Sequence, residues 1–136
     1  MPEVSPHLRA QVRARAGHRC EYCGFPERWA LEPHEVDHII ALKHDGETIL
    51  ENLAWCCTIC NGRKGSDLSS LDPESGALTR LFHPRRDRWE EHFDFRGAEI
   101  WPLTAVGRVT VRLLRLNASE RIQERALMVQ AGEALR

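Results

Sequence analysis

Five cysteines, Cys20, Cys23, Cys56, Cys57 and Cys60, carry the first chemical information in this 136-residue chain. Cys20-Glu21-Tyr22-Cys23 and Cys57-Thr58-Ile59-Cys60 are two C-x2-C knuckles. A thiolate pair at this spacing places both sulfurs on one tetrahedral Zn²⁺, and two pairs complete a closed structural site. Other uses of paired cysteines fit less well. The first twenty residues carry Arg9, Arg13, Arg15 and Arg19 among polar neighbours and lack the apolar core of a signal peptide. The expected location is therefore the cytoplasm, a reducing compartment where disulfides are rare. A thioredoxin-like redox pair uses one such motif in a βαβ context, not two. Cys56 as a ligand would stretch the second pair to C-x3-C, so it reads as a small buried hydrophobe.

The chain between and just after the knuckles holds a second set of groups. Asp37-His38 stands on one candidate element, Asn52-Leu53 on another, and Cys60 runs directly into Asn61-Gly62-Arg63-Lys64-Gly65. A carboxylate and an amide oxygen, from Asp37 and Asn61, suit a hard divalent cation that keeps several waters. A neutral His38 beside them can take a proton from water near pH 7. Lys64 can neutralise a phosphate oxygen. These are the parts of a phosphodiester hydrolase, and zinc would hold rigid the elements that carry them.

Val36-Asp37-His38-Ile39-Ile40, Gly46, Glu51-Asn52-Leu53 and Cys57-Thr58-Ile59-Cys60-Asn61-Gly62-Arg63-Lys64-Gly65 together resemble the zinc-containing HNH endonucleases. The resemblance spans about residues 20–65. It implies a ββα-metal fold and metal-dependent DNA cleavage leaving 5′-phosphate and 3′-hydroxyl ends. His38 resembles the general base, and Asp37 a ligand of the catalytic cation. Asn52 resembles the middle asparagine, which braces the loop after the first strand and so orients His38. Asn61 takes the third position of the motif, as in many zinc-bearing members. Its amide oxygen favours Mg²⁺ or Mn²⁺ over softer ions. Ala41-Leu42 departs from the proline often found there, which should change loop shape and not chemistry.

Two competing functions use the same residues. His34-Glu35-Val36-Asp37-His38 satisfies H-E-x-x-H, a zinc metalloprotease signature, provided that a helix puts His34 and His38 on one face. It leaves both cysteine pairs, Asn61 and Lys64 without a role. A zinc-stabilised DNA-binding module without catalysis keeps the cysteines but has no use for Asp37-His38 or Asn61.

The elements that must position these groups follow from local signals. Ser5-Pro6 with Leu8 and Val12 at i, i+4 predicts a basic helix over about 6–16, ended by Gly17. Residues 31–41 fit either strand or helix, 43–51 a polar loop, and 52–56 a short strand. A short helix from Cys57 to Gly65 places Cys57, Cys60, Asn61 and Lys64 along one face. Beyond it the expectations are a loop over 66–76, a hairpin at 93–101, a helix over 104–116 and a last helix over 118–135. Asn117 and Glu120 are expected to form a capping box for that last helix. The predicted class is α+β: a small ββα-metal core at 20–65 locked by four cysteines, a basic N-terminal helix within 1–19, and a hairpin-plus-helices extension at 66–136. For that extension DNA specificity, homodimer formation and contact with a protein partner all stay open.

Composition narrows the function classes without choosing among them. No run of 18 apolar residues exists to form a membrane-spanning helix, and 42% apolar content with a net charge of −1 excludes wholesale disorder. Basic side chains are 17 Arg and two Lys. With no overall positive charge, DNA affinity must come from local patches. Arg9, Arg13, Arg63 and Lys64 are candidates, with His44 in the loop and Arg85, Arg86 and Arg88 further on.

Overall fold

A computed structural model describes residues 4–136, so the first three residues of the predicted 1–19 segment lie outside the described residues. The chain divides into two compact units, one of Met1–Asp67 with His83–Arg86, the other of Leu68–Phe82 with Asp87–Arg136.

In the first unit helix α1 spans Pro6–Arg15. Ser5 caps it by accepting a hydrogen bond from the Leu8 N–H, and proline occupies the first turn, where a missing N–H costs nothing. Its apolar stripe, Leu8, Val12 and Ala16, packs on Leu53 and Trp55, with Val36 and Leu50 alongside. Strand β1 (Glu35–His38) pairs antiparallel with β2 (Leu53–Cys56), Asp37 opposite Ala54 and His38 opposite Leu53. All four β2 residues are buried. Helix α2 (Thr58–Lys64) follows at once, with Cys57 as its N-cap and Gly65 at its end with φ +53°, a conformation glycine adopts without strain. The sheet therefore has two used faces. Alternation along β1 turns Val36 toward the α1 core and Asp37 toward α2.

The second unit contains β3 (Ser69–Leu71) paired with β4 (Leu78–Arg80), α3 (Trp89–His92), the hairpin β5 (Phe93–Arg96) and β6 (Glu99–Pro102), and helices α4 (Ala105–Leu113) and α5 (Ser119–Gln130). Its core joins Phe82, Trp89, Phe93, Ile100, Val109, Leu114, Leu116 and Met128. Phe82 meets Phe93 edge-on, with ring centroids 5.4 Å apart.

The structure departs from the expected elements in three places. Residues 66–76 are not wholly loop: Ser69–Leu71 form β3, because β4 supplies a partner and Arg108 grips the connecting turn through both oxygens of Asp72, at 2.9 Å each. Both final helices stop short of their expected ends, α4 where Arg115 turns to φ +48° and α5 before Gly132 at φ +81°. Asn117 makes no capping box. Its amide instead pairs like a strand with Ile100, accepting from the N–H at 2.8 Å and donating to the carbonyl at 2.7 Å.

Candidate active site

The knuckles meet as the spacing requires. Cys20, Cys23, Cys57 and Cys60 are all buried, and their sulfurs lie within 4.8 Å of one another. Cys23 Sγ and Cys57 Sγ are 3.8 Å apart. A tetrahedral ion with Zn–S bonds of roughly 2.3 Å has sulfur–sulfur edges of about 3.8 Å, so these four residues fit a structural zinc. No cysteine forms a disulfide. The Cys57 sulfur also accepts the Cys60 N–H at 3.4 Å, joining the cluster to the start of α2. In the first knuckle the Gly24 N–H closes a turn on the Cys20 carbonyl at 2.8 Å. Cys56 is fully buried and lies outside the four-sulfur cluster.

Asp37 lies on the face of β1 turned to α2 and is 4% exposed. The Tyr22 hydroxyl donates to its Oδ2 at 2.7 Å, and the Lys64 ammonium lies 3.2 Å from Oδ1. Burial pushes the Asp37 carboxyl up from the usual carboxylate range, against the opposing pull of the Lys64 ammonium and the Tyr22 hydroxyl. Burial, then the charge on Asp37, also pushes the Tyr22 phenol well above its ordinary value, which keeps it a donor. Lys64, by sequence a candidate phosphate contact, is 2% exposed and turned inward. The cause is register. From Asn61 to Lys64 the helix rises about 4.5 Å, and from Glu35 to Asp37 the strand advances about 6.6 Å. Helix and strand thus lay Asn61 against Glu35 and Lys64 against Asp37. The Asn61 amide donates to Glu35 Oε2 at 3.3 Å.

His38 ends β1, half-buried, with its Nε2 2.9 Å from the Thr48 hydroxyl. The loop beyond it is tied down by Asn52. That side chain accepts from the Ile40 N–H at 2.9 Å and donates to the carbonyls of Ile40 at 3.0 Å and Glu47 at 2.8 Å. The Asn52 carbonyl takes the Ile39 N–H at 2.8 Å. Gly46 lies so close beneath that a Cβ there would sit 1.7 Å from the Ile40 carbonyl oxygen. Only glycine lets the backbone approach so closely.

The helix that an H-E-x-x-H protease needs is absent, because residues 35–38 are strand β1. His34 is buried, with Nε2 2.8 Å from the Phe25 carbonyl oxygen and its ring near Trp55. Strand geometry sends side chains four residues apart down the same face but about 13 Å along it, too far to share one ion.

The basic residues are less free than composition suggests. Arg13 forks onto Glu27, Arg9 lies over the Trp55 ring at 4.7 Å, and Arg85 pairs with Glu21. Arg88 lies beside Glu91 at 3.9 Å on an exposed face. His44 is exposed, with Nε2 3.2 Å from the Ser66 carbonyl oxygen. Arg63 is half-buried on α2.

Tyr22 and Thr48 contact the candidate residues but belong to no chemical motif of the sequence, while Glu35, part of the H-E-x-x-H pattern, meets Asn61 instead. Tyr22 lies within the first knuckle, four residues of spacing that already tie it to the zinc site. Thr48 carries no local signal, since it acquires its partner through tertiary packing.

Comparison with known families agrees with this geometry: residues 20–67 match the family model described as HNH endonuclease. The matched segment runs from the first zinc knuckle through α2 and covers a little over a third of the chain. No curated protein and no solved structure matches the chain.

Proposed function

We propose, from the HNH match over residues 20–67, that this protein is a metal-dependent DNA endonuclease with its working site at the end of β1. The observation that carries this reading is the fixed pair Asp37-His38. Asp37 is held from the zinc knuckle by Tyr22, and His38 is held from the loop by Thr48 and, through the backbone, by Asn52.

In this reading His38 is the general base. In the tautomer whose Nε2–H donates to the Thr48 hydroxyl, Nδ1 is left to take the proton from the attacking water. Asp37 and Asn61 would hold Mg²⁺ or Mn²⁺ once Lys64 leaves Asp37 and Asn61 leaves Glu35. Their carboxylate and amide oxygens are the donors such ions favour, and the cation supplies stabilisation of charge on the phosphoryl group and the leaving 3′ oxygen. Arg63 and His44, on α2 and in the loop before it, would contact the DNA backbone. A zinc ion on the four cysteines would take no chemical step; it would tie the Cys20–Cys23 knuckle to the start of α2. Residues 20–65 form the nuclease core in this account, with α1 packed behind it and 66–136 as an extension. Four reduced cysteines that could bind zinc suit the reducing cytoplasm.

The test is incubation of zinc-loaded protein with supercoiled plasmid and Mg²⁺ or Mn²⁺, with EDTA controls. Nicked or linear DNA that disappears in EDTA supports the assignment. Retained DNA binding without cleavage in either metal would leave a zinc-held binding module instead.

A further inference from the structure

Lys64 has the surroundings of a cation in its seat. Its Nζ lies 3.2 Å from each Asp37 carboxylate oxygen and 3.2 Å from the carbonyl oxygens of His38 and Ile39. A carboxylate and two backbone carbonyls around one positive charge are the donors that a hard metal ion takes. The compact ammonium fits that cage, whereas a planar guanidinium would not, in a chain that otherwise uses 17 arginines to two lysines. An ammonium held this way is not available to a phosphate. Tyr22 meanwhile holds Asp37 from another side, so the carboxylate stays in place whichever cation it faces.

We propose that Lys64 is an internal counter-ion occupying the divalent cation's seat on Asp37, so that metal loading displaces its ammonium and frees it for an anion. This rests on the assignment of Asp37 as a metal ligand. The physical reasons are two. A carboxylate buried with only the Tyr22 hydroxyl on it is costly, and the Lys64 ammonium offsets that cost before metal arrives. The Lys64 ammonium and a divalent ion compete for the same Asp37 carboxylate oxygens, so the metal's apparent affinity scales with the fraction of molecules in which Lys64 has left.

The test measures Mn²⁺ binding to zinc-loaded protein by electron paramagnetic resonance of the free ion, for wild type, Lys64→Met and Asp37→Asn. Asp37→Asn should abolish the site, and Lys64→Met should tighten it about tenfold. Should Lys64→Met fail to fold, the wild type decides alone. Lys43, exposed in the loop, is the internal standard for amine acetylation read by mass spectrometry. Lys64 should be protected relative to Lys43 without Mg²⁺ and should gain reactivity at saturating Mg²⁺. Mn²⁺ binding that depends on Asp37, with no tightening in Lys64→Met and no change in Lys64 acetylation, would overturn this inference alone. Absence of any Asp37-dependent binding would remove the metal assignment and this inference with it.

Discussion

Replacing Asn52 by Ala removes three hydrogen bonds from a side chain that is 8% exposed, those to the Ile40 N–H, the Ile40 carbonyl and the Glu47 carbonyl. Each net bond contributes about 1 kcal/mol, so the loss is about 3 kcal/mol, with more if the Ile40 N–H finds no water. In a unit of this size that corresponds to a fall in Tm of about 12–24 °C. Asn52→Asp should be no milder. It keeps the acceptor for the Ile40 N–H but turns a charged oxygen toward two carbonyl oxygens. Thermal and urea unfolding, with zinc content measured in parallel, give the stability. Cleavage assayed well below the melting temperature reports the site, because the released loop begins two residues after His38. Zinc should stay at one per chain, since Asn52 touches no cysteine ligand. A stability loss under about 0.5 kcal/mol with wild-type cleavage would refute the bracing role, as it would lie below the value of even one such bond.

Further expectations follow from the same geometry. Cys20→Ser should give zinc-free or insoluble protein, because structural zinc contributes on the order of 10–16 kcal/mol in finger peptides, while Cys56→Ser should retain one zinc per chain by elemental analysis. Thr48→Val should leave zinc content unchanged and lower kcat about tenfold with an altered pH profile, because the His38 ring loses its anchor at Nε2. In the second unit the Arg108 guanidinium holds the Asp72 carboxyl well below the usual carboxylate range. The folded state therefore binds that proton less tightly than the unfolded chain. The stabilisation is complete above the unfolded value, near pH 4, and fades as pH falls further. Asp72→Asn should flatten the acid branch of the stability–pH curve, and an unchanged branch would contradict the pairing.

The parts legible in the sequence are those fixed by short-range geometry. Two C-x2-C pairs specify a four-sulfur cluster almost by spacing alone, and Ser5-Pro6 and Gly65 mark helix ends because cap chemistry is local. The hairpin expected at 93–101 forms from Phe93–Arg96 and Glu99–Pro102, because its turn residues too are local. What was not legible depends on partners distant in sequence. Nothing within a few residues of Lys64 says that it turns inward, because Asp37 lies 27 positions away and the packing of α2 on β1 decides the meeting. Asn117 has the local signature of a capping residue and is drawn off by Ile100, 17 positions earlier. The H-E-x-x-H motif fails likewise, since pairing with β2 makes the segment a strand whatever its pattern allows.

The most direct measurement is plasmid cleavage by His38→Ala in saturating Mg²⁺ or Mn²⁺, beside the wild type and with zinc content and DNA binding determined on the same samples. Removing a general base typically costs about 10²–10⁴-fold. The account predicts a loss of at least that size with one zinc per chain and near wild-type DNA binding. His34→Ala, assayed where it remains folded, should cleave close to wild type. Undiminished cleavage by His38→Ala, or an equal loss in both variants with folding intact, would contradict it.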